Sequence, residues 1–79
     1  MVKLTDIKLK DNIISSTIFP EDSKEPGYVS VDTVSGTIVE SLLPVGYEYC
    51  KMHLEHASDA LIEIVHSGVI PEKRTVMWY

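Results

Sequence analysis

One stretch of this chain has the apolar spacing of a helix, and no second stretch shares it. Between Tyr47 and Gly68, the residues Cys50, Leu54, Ala57, Leu61, Ile64 and Gly68 recur at alternating spacings of four and three. That spacing draws one stripe along a 3.6-residue helix. Glu48, Lys51, Glu55, Asp59 and Glu63 fall largely outside the stripe, on the side expected to face water. The remainder reads as short strands, so the expected architecture is a sheet with a single helix to cover it.

The end of the helix is better marked than its beginning. Gly68 suits the left-handed position after the last turn, Val69 could then pack on Ile64, and Pro71 prevents continuation. His66, in the last turn, would be favoured by the helix dipole when protonated. No Ser, Thr, Asp or Asn stands directly before Tyr47, which leaves Gly46 as the best available N-cap.

Strands are read from alternation and turn chemistry. Lys3 to Lys10 reads as a first strand whose apolar positions (Val2 and Leu4, then Ile7 and Leu9) change parity near Asp6, as a bulge would cause. Asp11-Asn12 suits a two-residue hairpin turn, because both residue types tolerate positive φ. Ile13 to Phe19 returns as a β-branched strand. The polar segment Pro20–Gly27 reads as a mobile connection. Tyr28 to Thr33 and Thr37 to Leu43 form a second hairpin around Val34-Ser35-Gly36, and Lys73 to Tyr79 closes the fold as a last strand. The expected fold class is α+β: a small, mostly antiparallel sheet of four or five strands in the order β-β-β-β-α-β, with Tyr47–Ser67 packed on one face.

A chain of 79 residues is expected to form a single domain over 1–79, near the lower limit of what folds unaided. The lone cysteine, Cys50, excludes an intrachain disulfide, and a small secreted domain usually carries several. With no apolar leader and no run of about 20 apolar residues, a soluble cytoplasmic protein is expected, without membrane contact. Twelve acidic against seven basic residues give a net charge of −5, which argues against nucleic acid as the default ligand. Lys3, Lys8 and Lys10 nevertheless cluster near one end of the chain and Lys73-Arg74 near the other. If the fold brought these groups together, they would form a modest basic patch.

Candidate chemistry is sparse. Cys50, His53 and His56 are good zinc ligands by type, but no second Cys or His pair completes a four-ligand site, so a buried thiol beside surface histidines is the simpler reading. Glu63 and His66 stand one turn apart, as a carboxylate orienting an imidazole would; on an exposed helix they read as an ordinary charge contact. No cofactor is expected, since Gly27, Gly36, Gly46 and Gly68 mark turns and caps rather than a phosphate loop.

Two of the strands and the C-terminal segment carry apolar residues on both faces, and one helix covers only one. The expected role is therefore a non-enzymatic interaction module. It should self-associate as a homodimer through the sheet face or edge that the helix leaves open, with Met77 and Tyr79 at the interface. Two alternatives stand beside it. One is a small metal- or ligand-binding protein, or enzyme subunit, built on Cys50, His53 and His56. The other is an acidic inhibitor that meets a basic protein partner through the Pro20–Gly27 loop.

Overall fold

The structure, a computed structural model, describes residues 1–78. It is an α+β fold: five strands in one sheet and one helix packed against it. The strands are β1 (Val2–Lys10), β2 (Ile13–Pro20), β3 (Gly27–Asp32), β4 (Ile38–Leu42) and β5 (Arg74–Val76); the helix α1 spans Lys51–Ser67. Spatial order is β4-β3-β2-β1-β5, and every neighbouring pair is antiparallel. The two hairpins thus form a meander from β1 to β4. The helix then carries the chain back across the sheet, so that β5 can pair with the far side of β1.

Local chemistry sets the first hairpin. Asp11 and Asn12 take φ of 50° and 66°, the left-handed pair that a type I′ turn requires. Asp6, at φ 51°, marks a bulge where the β1–β2 register shifts between Thr5 and Lys8. Ser16 faces that irregularity from β2 and is buried, with its hydroxyl 2.7 Å from the Thr17 carbonyl and 3.0 Å from the Thr5 carbonyl. A buried hydroxyl needs such partners, and the disturbed ladder supplies one of them. The bulge also returns Ile7 to the face that carries Val2 and Leu4.

The helix begins later than its sequence spacing suggests. Residues 44–50 form successive turns, with the N–H of Tyr47 donating to the Pro44 carbonyl (2.9 Å) and that of Cys50 to the Tyr47 carbonyl (2.9 Å). Gly46 sits at φ 89°, a left-handed conformation that cannot enter a right-handed helix, and Cys50 occupies the N-cap without a side-chain capping bond. Glu48 therefore belongs to a turn and not to the helix. The other end matches expectation: Gly68 adopts φ 79° as the C-cap, and its N–H donates to the Val65 carbonyl at 3.2 Å. Val69 remains 71% exposed, so it does not supply the apolar contact to Ile64. The Ser67 hydroxyl takes over part of the capping by donating to the Ile64 carbonyl at 2.6 Å.

The core lies between α1 and one sheet face. Val2, Leu4 and Ile7 of β1, Ile14 and Ile18 of β2, and Val29 and Val31 of β3 meet Ala57, Ala60, Leu61 and Ile64 of α1. Val76 and Trp78 pack at its margin, as their shared parity implied. The opposite face differs from the two-sided apolar pattern read from sequence. Register places Lys3, Thr5, Lys8, Lys10, Ser15, Thr17, Tyr28, Ser30, Asp32 and Glu40 there, with Ile13, Phe19 and Leu42 among them. That face is mostly polar, carrying hydroxyls, three lysines and two carboxylates. The apolar surplus sits at one edge instead.

Candidate functional site

β4 is the element that the helix leaves open. Its five residues, Ile38 to Leu42, are all exposed. Of the twelve large apolar side chains exposed among the described residues, five (Val34, Ile38, Val39, Leu42 and Val45) lie on β4 or the turns at its ends. This concentration at one strand is what separates the edge from ordinary scattered exposure. Val34 is 81% exposed and Leu42 63%. β4 pairs with β3 on one side, while its other side is an unpaired sheet edge. A hollow of about 510 Å³, lined by Glu25, Pro26, Leu42, Leu43, Pro44 and Val45, opens beside its C-terminal end. Glu40 stands in the middle of the strand, and the β3–β4 register shifts between Ser30 and Val31.

Of the interface residues expected from sequence, Met77 lies at the other edge. Met77, just after β5, is 59% exposed, so it is available for contact. Tyr79 lies outside the described residues. Tyr28, half exposed on the open face, and Trp78, packed against the helix, take different environments.

Cys50, His53 and His56 do not converge. Cys50 is 1% exposed at the helix start, and burial pushes its thiol up from the ordinary range. The His53 Nε2 lies 3.0 Å from Glu21 Oε2, the oxygen that the Met1 ammonium also contacts. Glu21 adopts φ 51°, a left-handed conformation that costs a non-glycine residue about 1 kcal/mol. Nδ1 of His53 is buried and meets no hydrogen-bond partner among the described residues. His56 stacks flat on Trp78 (4.2 Å between centroids, 13° between planes), and His53 meets the same indole edge-on (4.8 Å, 80°). Both histidines are thus committed to Trp78 and Glu21. Among the described residues, no group of three or more His, Cys, Asp or Glu is placed to hold a metal ion.

The remaining sequence candidates are occupied within the fold. Glu63 pairs with Arg74 of β5 at 3.2 Å, rather than with His66. In the Pro20–Gly27 loop, Asp22 accepts a 2.6 Å hydrogen bond from the Tyr47 hydroxyl. That bond holds the phenolic proton and raises Tyr47 to about 12. The Ser23 N–H donates to the Pro20 carbonyl at 3.0 Å, and its hydroxyl to the Glu25 carbonyl at 2.7 Å. The loop is therefore tied down, and two of its three carboxylates bind internal partners.

The Trp78 stack could not be foreseen from sequence spacing, because it joins positions more than twenty residues apart. The exposure of β4 was equally hidden, since it depends on strand order. Native Cys50 is expected to react slowly with a thiol reagent, and rapidly once the chain is unfolded. It is inaccessible, and its raised pKa lowers the thiolate fraction near neutrality. Rapid labelling of folded protein would contradict this placement of the residue. Comparison with protein-family models, with curated proteins and with solved structures gives no match for this chain.

Proposed function

We propose that this protein is a non-enzymatic interaction module that self-associates through the exposed edge formed by β4. The observation that carries the reading is the coincidence of an unpaired strand edge with the main concentration of exposed apolar side chains. A second copy would satisfy both, by pairing backbone groups and covering Ile38, Val39 and Leu42 in one contact. Two-fold association is the simplest way to do so, because the same strand serves both partners. Glu40 limits the strength of the contact: a register centred on it would place two carboxylates opposite each other. A weak, concentration-dependent homodimer follows. The lone buried thiol fits a reducing compartment, in keeping with a cytoplasmic role.

Light scattering over a concentration series tests the reading. Unmodified protein should shift toward a dimer between low and high micromolar levels, and salt should favour the dimer by screening Glu40. Val39→Lys with Leu42→Lys should give folded monomers, since both residues are exposed and contribute little to the core. Met77→Lys should leave the dimer intact. If Met77→Lys alone dissociates it, the interface belongs to the β5 edge. If unmodified protein stays monomeric throughout, self-association is wrong.

A further inference from the structure

β5 pairs with β1 so that Lys3 stands opposite Thr75 and Leu4 opposite Arg74. The basic residues from the two ends of the chain therefore meet. Lys3, Lys8 and Lys10 line one side of the open sheet face, because each lies opposite an outward residue of β2 (Phe19, Ser15 and Ile13). Lys73 joins them: with Lys3, Thr5 and Thr75 it borders a shallow hollow of about 230 Å³ at the β1–β5 step. Four of the seven basic residues thus gather on this part of an otherwise acidic protein.

Among the described residues, no ion pair joins Lys3, Lys8, Lys10 or Lys73 to a carboxylate. Glu40 is on the same cross-sheet row as Lys8 but three strands away, about 14 Å at ordinary strand spacing. Asp32 is nearer, on the row of Lys10 two strands away at about 10 Å, and one of its carboxylate oxygens accepts from the N–H groups of Val34 and Ser35 at 2.8 and 3.2 Å. Arg74 points to the other side of the sheet, where it binds Glu63. Asp6 and Asp11 flank the column at its bulge and its turn, and are the carboxylates nearest to it in sequence.

Two aromatic rings share the face. Phe19 is directly opposite Lys3, and Tyr28 lies two strands from Thr5 on the row Thr5–Thr17–Tyr28. Tyr28 is 38% exposed. Cations along one strand with aromatic rings beside them are the two components of a single-strand binding surface: charges follow the phosphates, and rings stack under unpaired bases. A base-paired duplex buries its base faces and could not use the rings.

We infer that the open sheet face is a docking surface for single-stranded nucleic acid, with Lys3, Lys8, Lys10 and Lys73 on the phosphates and Phe19 and Tyr28 beneath bases. This goes beyond self-association and does not depend on it, since the lysines lie on the side of the sheet away from β4. The net charge of −5 opposes long-range attraction, so the surface works at short range and low salt.

Fluorescence anisotropy of a labelled ten-nucleotide oligouridylate is the test, with a labelled hairpin duplex and heparin as comparisons. Saturable binding to the oligonucleotide is expected below 100 µM protein in about 50 mM salt. Four phosphate contacts predict a loss of about fifty-fold in affinity between 50 and 200 mM salt. Lys3→Glu with Lys8→Glu should abolish binding. Tyr28→Ala should weaken oligonucleotide binding about tenfold and leave heparin binding unchanged, because only bases offer an aromatic face to stack. Far-UV circular dichroism checks that both variants remain folded. Tighter binding to the duplex, to heparin or to vesicles containing 30% phosphatidylserine would overturn the proposal. So would unchanged affinity in either folded variant, or no saturable binding at all.

Discussion

Leu61→Asp should leave the domain unfolded in water at 25 °C, because it sets a carboxyl group at the centre of the core. Leu61 is fully buried in the middle of α1, against residues of the sheet. The substitution removes a large apolar side chain, at about 2–5 kcal/mol for comparable truncations, and adds a carboxylate in a place without a cation to receive it. Protonating that carboxylate avoids the buried charge but still leaves a polar group in the core. A domain of this length has roughly 4–12 kcal/mol of total stability, so the loss consumes most or all of it. Glu55→Ala, on the wet side of the same helix, should change stability by less than about 0.5 kcal/mol. Circular dichroism with urea titration compares the two. Similar effects from both would mean that the helix does not present Leu61 to the sheet.

Gly27→Ala should also be strongly damaging, by about 3 kcal/mol, although it adds one methyl group. Gly27 opens β3 opposite Ile18 and is buried. A Cβ built there would lie 2.4 Å from the Leu42 carbonyl oxygen, 3.0 Å from Pro44 Cδ and 3.1 Å from Ile18 Cγ1. The closest of these is a backbone atom, so no rotamer change relieves the clash. The end of β4 and the Pro44 turn would have to move away. The φ of Gly27 is not in the left-handed region, and the cost is therefore one of space rather than backbone conformation. Urea midpoints should fall accordingly. Gly36→Ala makes the contrast: open space surrounds that position, so its cost arises from φ 75° alone. If Gly27→Ala were neutral, β4 would be free to shift, and the edge proposed for self-association would be less sharply defined than its geometry indicates.

The same strand explains why the main apolar surface is not where the sequence pattern places it. Alternation shows that Ile38, Val39, Leu42 and Leu43 are apolar on both sides of a strand, but it does not say where in the sheet that strand lies. In the middle of the sheet these residues would be covered. At the edge, Ile38, Val39 and Leu42 remain wet, while Leu43 packs partly against the core. Met77 alternates with Val76 and Trp78, and it is indeed turned outward. What alternation could not show is that the larger apolar surface lies at the opposite edge.

The histidines illustrate a related limit. Helical spacing alone brings Cys50 and His53 within one turn, as two ligands of one metal ion would be. Spacing along one helix says nothing about what the other elements place against it. Trp78, delivered by the C-terminal segment, takes the two imidazoles, and Glu21, from the loop after β2, takes Nε2 of His53.

What this chain determines by sequence alone is what a few adjacent residues can enforce through backbone sterics and side-chain period. The Asp11-Asn12 turn, the slip at Asp6, the stop at Gly68 and Pro71, and the stripe from Leu54 to Ile64 all belong to that class. The late start of α1 does not, for Gly46 at φ 89° could equally cap a helix beginning at Tyr47, and it is the turns over residues 44–50 that move the start to Lys51. Strand order, the face that the helix covers, the meeting of Lys3 with Thr75 and the stack on Trp78 are decided by tertiary structure. Each joins residues far apart in the chain, and many such pairings leave the local pattern unchanged. They are selected by how much apolar surface the whole molecule can bury at once, a quantity that no single segment carries.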